Sequence, residues 1–247
     1  MQMQHAWPYP RFVAHRGAGK LAPENTMAAM RTAHSHGYRM VEFDVKLSQD
    51  QTLVLLHDST LERTTNGTGT AAQFSFAELA RLDAGSWHSP AFAGETIPTL
   101  RAIAAYTIAN SLASNIEIKA TPGLEALTGT LAARQARKYW SGAPVAPLLS
   151  SFSEASLRAA QDEAPELPRG LISDTLPENW LQVLTSLGCV SLHLHHGAVT
   201  HDLVRLVQAA GFRLAVWTVN APERSALLLE WGTDAIITDA IDRISPV

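Results

Sequence analysis

Short apolar runs of β-type composition alternate along the chain with longer stretches of helical periodicity. The runs fall at residues 11–15, 39–45, 53–57, 115–119, 147–151, 169–173, 189–195, 213–219 and 235–238. Amphipathic stretches lie between most of them, at 26–36, 124–139, 154–163, 202–210 and 223–230. Strands separated by helices predict a parallel sheet, because a parallel neighbour is reached only by a long crossover. Gly37, Gly188, Gly211 and Gly232 each stand just before a strand, where a helix-ending glycine belongs.

These runs are one more than an eight-stranded barrel requires. Little more than Ser48-Gln49-Asp50-Gln51-Thr52 joins the second run to the third. A link of hairpin length makes the run at 53–57 antiparallel to its predecessor, hence an appendage, and the other eight runs become staves. The expected architecture is α/β: a (β/α)₈ TIM barrel with a β-hairpin-containing insertion, about 46–110, after the second barrel strand. That insertion carries a Gly/Thr-rich loop at 64–70, a short helix near 76–82 and a helix near 100–109. Gly67 and Gly69 have the spacing of neither a P-loop nor a dinucleotide-binding turn, so the loop reads as a turn. No linker-like or low-complexity segment interrupts the chain, and residues 1–247 read as one domain.

Composition narrows the function classes. Apolar residues make up 46% of the chain, enough for a sizeable core, and charged residues only 17%, which argues against disorder. A net charge of −4 lacks the basic excess of a nucleic-acid binder, although a local basic site for a small anion remains compatible with it. Cys189 is the single cysteine, set in an apolar run, and reads as a small buried hydrophobe; an internal disulfide is impossible. Residues 1–11 show no leader-like apolar region, and no apolar run reaches membrane-spanning length. The expectation is a cytoplasmic protein without a membrane anchor.

In a barrel of this kind chemistry gathers at the C-terminal ends of the strands. The first stave ends Val13-Ala14-His15-Arg16-Gly17, the second Val41-Glu42-Phe43-Asp44-Val45, the third Asn115-Ile116-Glu117-Ile118-Lys119. Side chains alternate faces, so Val41, Phe43 and Val45 pack outward while Glu42 and Asp44 point into the barrel mouth. Glu117 and Lys119 repeat the pattern with Ile116 and Ile118 outward. Three buried carboxylates are costly unless paired or metal-bound, and an all-oxygen set suits Mg²⁺, Ca²⁺ or Mn²⁺ rather than zinc. The competing explanation is an ion-pair network, Lys119 with Glu117 and Arg16 with Asp44. Three carboxylates on two staves beside a histidine and an arginine favour the metal.

His15 and His57 are candidates for acid–base work, since imidazole titrates near neutrality. His57 is followed by Asp58, and the hairpin is positioned to fold its tip over the mouth. Arg16, as a fork, and Lys119, as a point charge, are placed to hold a phosphate. Trp217, close to Asn220 at the end of a late stave, either stacks on the substrate or fills the barrel. Glu24 lies just past the first stave and is a candidate contact. His193 and His195 share a face without an accompanying carboxylate; one of them lines the mouth, and His195 is retained as a candidate. Asn25 or Thr26 reads as a helix cap. His5, His34, His36, His88 and His201 fall in termini, helices or loops and receive no role.

The same residues carry a signature. Ala14-His15-Arg16-Gly17, Pro23-Glu24-Asn25-Thr26, Glu42-Phe43-Asp44-Val45, Leu56-His57-Asp58, Leu61-Glu62-Arg63-Thr64-Thr65-Asn66-Gly67, Ile116-Glu117-Ile118-Lys119, Trp217-Thr218-Val219-Asn220 and Ile237-Thr238-Asp239 together resemble the glycerophosphodiester phosphodiesterase family. Further phrases, Trp7-Pro8-Tyr9-Pro10-Arg11 and Asp83-Ala84-Gly85-Ser86-Trp87 among them, look closest to the cytosolic bacterial branch that works with glycerol-phosphate uptake. The resemblance implies hydrolysis of glycerophosphodiesters to sn-glycerol 3-phosphate and an alcohol. It implies a divalent metal at Glu42, Asp44 and Glu117, acid–base catalysis by His15 and His57, and substrate contacts from Arg16 and Lys119. His57 is expected as leaving-group acid and His15 as base, in an order the sequence leaves open. The rival readings are a carboxylate–metal barrel isomerase or lyase, which the cationic Arg16 and Lys119 disfavour, and a non-catalytic phosphodiester binder, which needs neither histidine. Head group, oligomeric state and the identity of the attacking oxygen stay open.

Overall fold

The computed structural model describes residues 5–246; Met1 to Gln4, part of the stretch inspected for a leader, and Val247 lie outside the described residues. The strands are β1 (Phe12–Ala14), β2 (Met40–Leu47), β3 (Leu53–Leu55), β4 (Ala113–Ile118), β5 (Leu148–Ser151), β6 (Arg169–Ser173), β7 (Ser191–His195), β8 (Arg213–Trp217) and β9 (Ala235–Thr238). The helices are α1 (Met27–Ser35), α2 (Phe76–Leu79), α3 (Leu100–Ala109), α4 (Glu125–Tyr139), α5 (Glu154–Glu163), α6 (Trp180–Ser186), α7 (His201–Ala209) and α8 (Pro222–Glu230).

The strands run β1-β9-β8-β7-β6-β5-β4-β2 in parallel, and a β1–β2 pairing closes the ring into an eight-stranded barrel. β3 pairs antiparallel with β2, so the short link makes a hairpin and β3 stands outside the barrel, as its length required. The outward residues Val41, Phe43, Val45, Ile116 and Ile118 pack with Ala29, Met30, Ile103, Ala132 and Ala133 of the covering helices. On the other half Leu192, Leu194, Leu214 and Val216 meet Val183, Leu184, Val204 and Val207. At the far end of the barrel from the site, Tyr9, Val13, Met40 and Leu148 form an apolar plug, and the Tyr9 hydroxyl donates to the Ala146 carbonyl. The insertion has its own small core of Val54, Leu56, Leu61, Leu79, Ala84 and Ile97.

Several boundaries differ from expectation. β3 stops at Leu55, so His57 stands beyond the strand, on the turn. α2 stops at Leu79, where its Ser75–Glu78 capping box closes only a single turn. Cys189 precedes β7 and is buried, as foreseen. Helix α6 was missing from the expected elements, although Trp180, Val183, Leu184 and Leu187 recur at helical spacing and are all buried. The four glycines expected at helix ends all adopt positive φ, between 56° and 98°.

Candidate active site

Glu42 and Asp44 on β2 and Glu117 on β4 meet inside the mouth because the strands pair with Asp44 opposite Glu117 and Glu42 opposite Asn115. All three carboxylates are buried, and each offers an oxygen within 4.8 Å of the others. Asp44 Oδ2 accepts from Asn25 Nδ2 at 2.8 Å and lies 3.6 Å from Arg16 Nε. Glu117 Oε1 accepts from Lys119 Nζ at 2.6 Å. Glu42 Oε2 accepts the Arg16 backbone N–H at 2.9 Å, but Glu42 Oε1 is buried with no hydrogen-bond partner.

The ion-pair network considered from the sequence is therefore present, yet it leaves Glu42 without a lysine or arginine partner. Burial first, then the Asp44 charge, pushes the Glu42 carboxyl up to about 8. Burial and Asp44 also raise Glu117. Burial would raise Asp44 too, but Arg16, His57 and Lys119 outweigh it and hold that carboxyl below its ordinary value. A group of buried carboxylates with one orphaned oxygen is short of positive charge, and an oxygen-coordinated divalent cation is what fits it.

His15 follows β1, and its Nδ1 lies 2.6 Å from Asp239 Oδ1, just past β9. Asn220 fixes that carboxylate by donating from Nδ2 to Oδ2 at 3.1 Å and accepting the Asp239 backbone N–H at 2.8 Å. Burial opposes the imidazolium, but the Asp239 hydrogen bond and the Glu42 and Asp239 charges outweigh it, and the His15 pKa is raised. The turn after His15 is tight: Arg16 takes a left-handed φ of 51°. At Gly19 any Cβ would stand 2.2 Å from the Asp239 backbone, so only glycine lets the two loops meet.

His57 sits on the hairpin tip, which does fold over the mouth. Its Nδ1 lies 2.6 Å from Asp58 Oδ1. Asp58 is shared, because Arg63 donates to it from Nε at 2.6 Å and from Nη2 at 3.0 Å. Arg63 also grips Glu24 at 2.8 Å, and Glu24 accepts from Arg16 at 2.8 Å. A continuous polar chain thus ties the insertion to the first stave. Burial leads in lowering the His57 pKa, with Arg16 and Lys119 adding to it against the pull of Asp44 and Asp58.

These groups face a cavity of roughly 250 Å³. His15, Arg16, Glu42, His57, Glu117 and Lys119 line it beside Asn115 and His193, with Phe152, Ile172, Trp217 and Ile237 as its apolar wall. Trp217 is held by donating its indole N–H to the His193 carbonyl at 3.3 Å and by edge contacts with Phe152 and His195. The candidates on the margin fare differently. Glu24 does not line the cavity but orients Arg16. His195 stands behind Trp217, its Nδ1 accepting the Gly197 N–H, and it is His193 that reaches the cavity. Thr26 is the cap of α1, while Asn25 serves the site.

Phe152 and Asn115 were not expected in the site, and of the pair His193 and His195 it is the one not retained that lines it. Asn115 lies two residues before Glu117 and so shares its face; Phe152 follows directly on β5. Strand parity also turns Lys46 inward, buried, with Nζ donating to the Lys119 carbonyl and its pKa pushed down to about 8 by burial.

The model describing the glycerophosphoryl diester phosphodiesterase family matches residues 15–243. A glycerophosphodiester phosphodiesterase of Caldanaerobacter subterraneus subsp. tengcongensis is 37% identical over 232 residues, spanning 92% of this chain and 93% of its own. A phosphodiesterase of Oleispira antarctica, solved in complex with the product sn-glycerol-3-phosphate, superposes with a TM-score of 0.90 at 34% identity and 95% coverage of both chains. A glycerophosphodiester phosphodiesterase of Agrobacterium tumefaciens superposes with a TM-score of 0.82 at 28% identity, covering 97% of this chain and 100% of that one.

Proposed function

The chain belongs to the glycerophosphoryl diester phosphodiesterase family, a class of hydrolase, and on that footing we propose how its residues divide the work of releasing sn-glycerol 3-phosphate and an alcohol. The observation that carries the reading is the buried trio Glu42, Asp44 and Glu117, with one oxygen orphaned, between two histidines that are each backed by a carboxylate. Glu42, Asp44 and Glu117 would hold a divalent cation, Mg²⁺, Ca²⁺ or Mn²⁺. Bound there, such an ion would supply Lewis-acid stabilisation of a phosphoryl oxygen and of the charge that develops in the transition state.

The protein's own groups do the rest. Arg16 and Lys119 bind the phosphoryl oxygens, Arg16 held in aim by Glu24. With Nδ1 of each histidine bound to a carboxylate, Nε2 is the nitrogen left for the substrate. Among the described residues the Asp239 carboxylate is hydrogen-bonded, besides His15, to neutral Asn220, so it favours the imidazolium. Asp58 has its charge largely taken up by Arg63, so it orients His57 without stabilising its charged form as strongly. His57 therefore takes a proton from the attacking oxygen, and His15 gives one to the departing alcohol oxygen as the P–O bond breaks. This order reverses the one expected from the sequence. The attacking oxygen belongs to water or to the glycerol 2-hydroxyl. Phe152 and Trp217 flank the glycerol carbons.

The same reading places residues 1–247 in one domain with the hairpin insertion as its lid, and puts the protein in the cytoplasm with a small-molecule substrate. Among the described residues no helix is long and apolar enough to cross a membrane. The test is release of sn-glycerol 3-phosphate from glycerophosphocholine with and without EDTA. Chelation is expected to abolish turnover and excess Mg²⁺, Ca²⁺ or Mn²⁺ to restore it; cleavage indifferent to EDTA would overturn the metal assignment.

A further inference from the structure

His193 is a buried titratable side chain facing the cavity that the mechanism above leaves idle. It is 1% exposed, at the middle of β7, in register with Ile172 on β6 and Ala215 on β8. Strand geometry puts it roughly 7 Å deeper than His195. Its Nε2 lies 2.9 Å from Ser191 Oγ, and its Nδ1 is buried with no hydrogen-bond partner. The neighbouring strand makes room for the ring: a Cβ at Gly170 would stand 2.5 Å from His193 Nε2 and 2.6 Å from Ser191 Oγ. A histidine accommodated at this expense with an empty ring nitrogen calls for a ligand, since an unsatisfied buried polar atom costs about 1–3 kcal/mol.

The tautomer follows from counting donors. Among the described residues Ser191 Oγ has only His193 Nε2 as a hydrogen-bond partner. If Nε2 carried the proton, both the serine hydroxyl hydrogen and the Nδ1 lone pair would be stranded. If the serine donates to Nε2, the single stranded group is the Nδ1 N–H. The unsatisfied ring atom is therefore a neutral donor, on a side chain that lines the cavity. Burial agrees with a neutral ring, pulling the pKa down to about 4.

We propose that His193 Nδ1–H donates to the primary hydroxyl oxygen of the substrate's glycerol, and so selects a glycerol ester over other alkyl phosphodiesters. The phosphoryl group is anchored at the mouth by Arg16 and Lys119. The cavity that they and His193 line together holds roughly 250 Å³, room for a three-carbon polyol but not for a variable head group as well. The constant glycerol half points inward, and the hydroxyl farthest from phosphorus meets the His193 donor. Asn115, three staves away, offers its amide to the same end, oriented by Ser150 Oγ donating to its Oδ1 at 2.9 Å.

This inference rests on the glycerophosphodiesterase reading, and its test keeps the two apart. Wild-type enzyme is assayed with Mg²⁺ on sn-glycero-3-phosphocholine and on its 1-deoxy analogue, which keeps the 2-hydroxyl. Failure of the wild type on the glycerol ester sinks the functional reading itself. With that activity in hand, His193→Phe is expected to lose about 10- to 100-fold in kcat/KM on the glycerol ester, a loss of one specific hydrogen bond, while leaving the deoxy analogue within about twofold. His193→Gln, which keeps a donor and is less disruptive of packing, should recover part of the preference. Calorimetric titration with sn-glycerol 3-phosphate and with propane-1,2-diol phosphate reads the same preference without turnover. Equal losses on both esters, or an undiminished preference in folded His193→Phe or His193→Gln, would overturn the proposal.

Discussion

Asn25 and Asp44 are joined twice, by the Asn25 amide donating to Asp44 Oδ2 at 2.8 Å and by the Asp44 backbone N–H donating to Asn25 Oδ1 at 3.0 Å. Asn25 holds a left-handed φ of 59°, a conformation asparagine tolerates better than most residues. It thus turns the chain into α1 and aims a carboxylate of the proposed metal site. Asn25→Ala should strain the turn, strand the Asp44 N–H and weaken divalent-metal affinity by about 10- to 100-fold, as losses behind a metal ligand do. Titration of Mg²⁺ against the folded variant checks it; unaltered affinity would show that Asn25 is only a cap.

The His15–Asp239 pair makes a prediction with a sign. As an acid, His15 works while protonated, and Asp239 helps hold its pKa above the ordinary value. Asp239→Asn keeps a hydrogen-bonding side chain and removes the charge, so the alkaline limb of kcat/KM against pH should move to lower pH. Asp58→Asn acts on the base instead: a His57 that loses a proton more readily extends activity at the acid limb. If Asp239→Asn moves the acid limb and Asp58→Asn the alkaline one, the two histidines have been interchanged.

Much of the site was legible because strand parity is a local rule. It places Glu42, Asp44 and Glu117 on one side without knowledge of the fold's closure, and the same rule applied further along β2 and β4 yields Lys46 and Asn115. The hairpin was legible from a link too short for a crossover. What parity cannot supply is pairing across the closed ring. Asp239 reaches His15 only because β9 packs beside β1, and Arg63 reaches Glu24 only because the insertion folds back. From the residues alone Asn25 reads as a cap, since its positive φ and its grip on Asp44 belong to tertiary structure. The choice between His193 and His195 turns on depth in the barrel, which alternation does not reveal.

Leaving-group chemistry separates the two histidines independently of pH. An alcohol needs a proton to depart, whereas p-nitrophenolate does not. His15→Ala should lose about 100-fold or more on glycerophosphocholine and far less on the p-nitrophenyl ester of glycerol 3-phosphate, while His57→Ala should be impaired on both and still bind metal. Wild-type turnover of glycerophosphocholine by His57→Ala would exclude it from the chemistry, and rescue of His57→Ala by p-nitrophenol would make it the acid.

The crowding of carboxylates should be visible in stability before any substrate is added. In the folded, metal-free protein Glu42 is pushed up to about 8 from an ordinary value of 4.5, and Glu117 is raised in the same direction. Between those two values the native state keeps a proton that the unfolded chain has released, so stability falls as pH rises through this window. The raised His15 adds a loss at the alkaline side of it, and the lowered Asp44 acts only below pH 3.8. Below pH 6.5 the lowered His57 and His193 act in the opposite sense, because the unfolded chain holds the protons they have given up, so the Tm in EDTA should decline from about pH 6.5 to about 8. A divalent cation competes with the proton for the same oxygens, so saturating Mg²⁺ should raise Tm most at the alkaline end and flatten the slope. Glu42→Gln removes the charge that must be neutralised; it should raise the Tm in EDTA near pH 8 and abolish the response to Mg²⁺. A Tm in EDTA that rises across that range, or a Glu42→Gln variant that Mg²⁺ still stabilises, would mean that the trio is a self-contained ion-pair network rather than a site awaiting a cation.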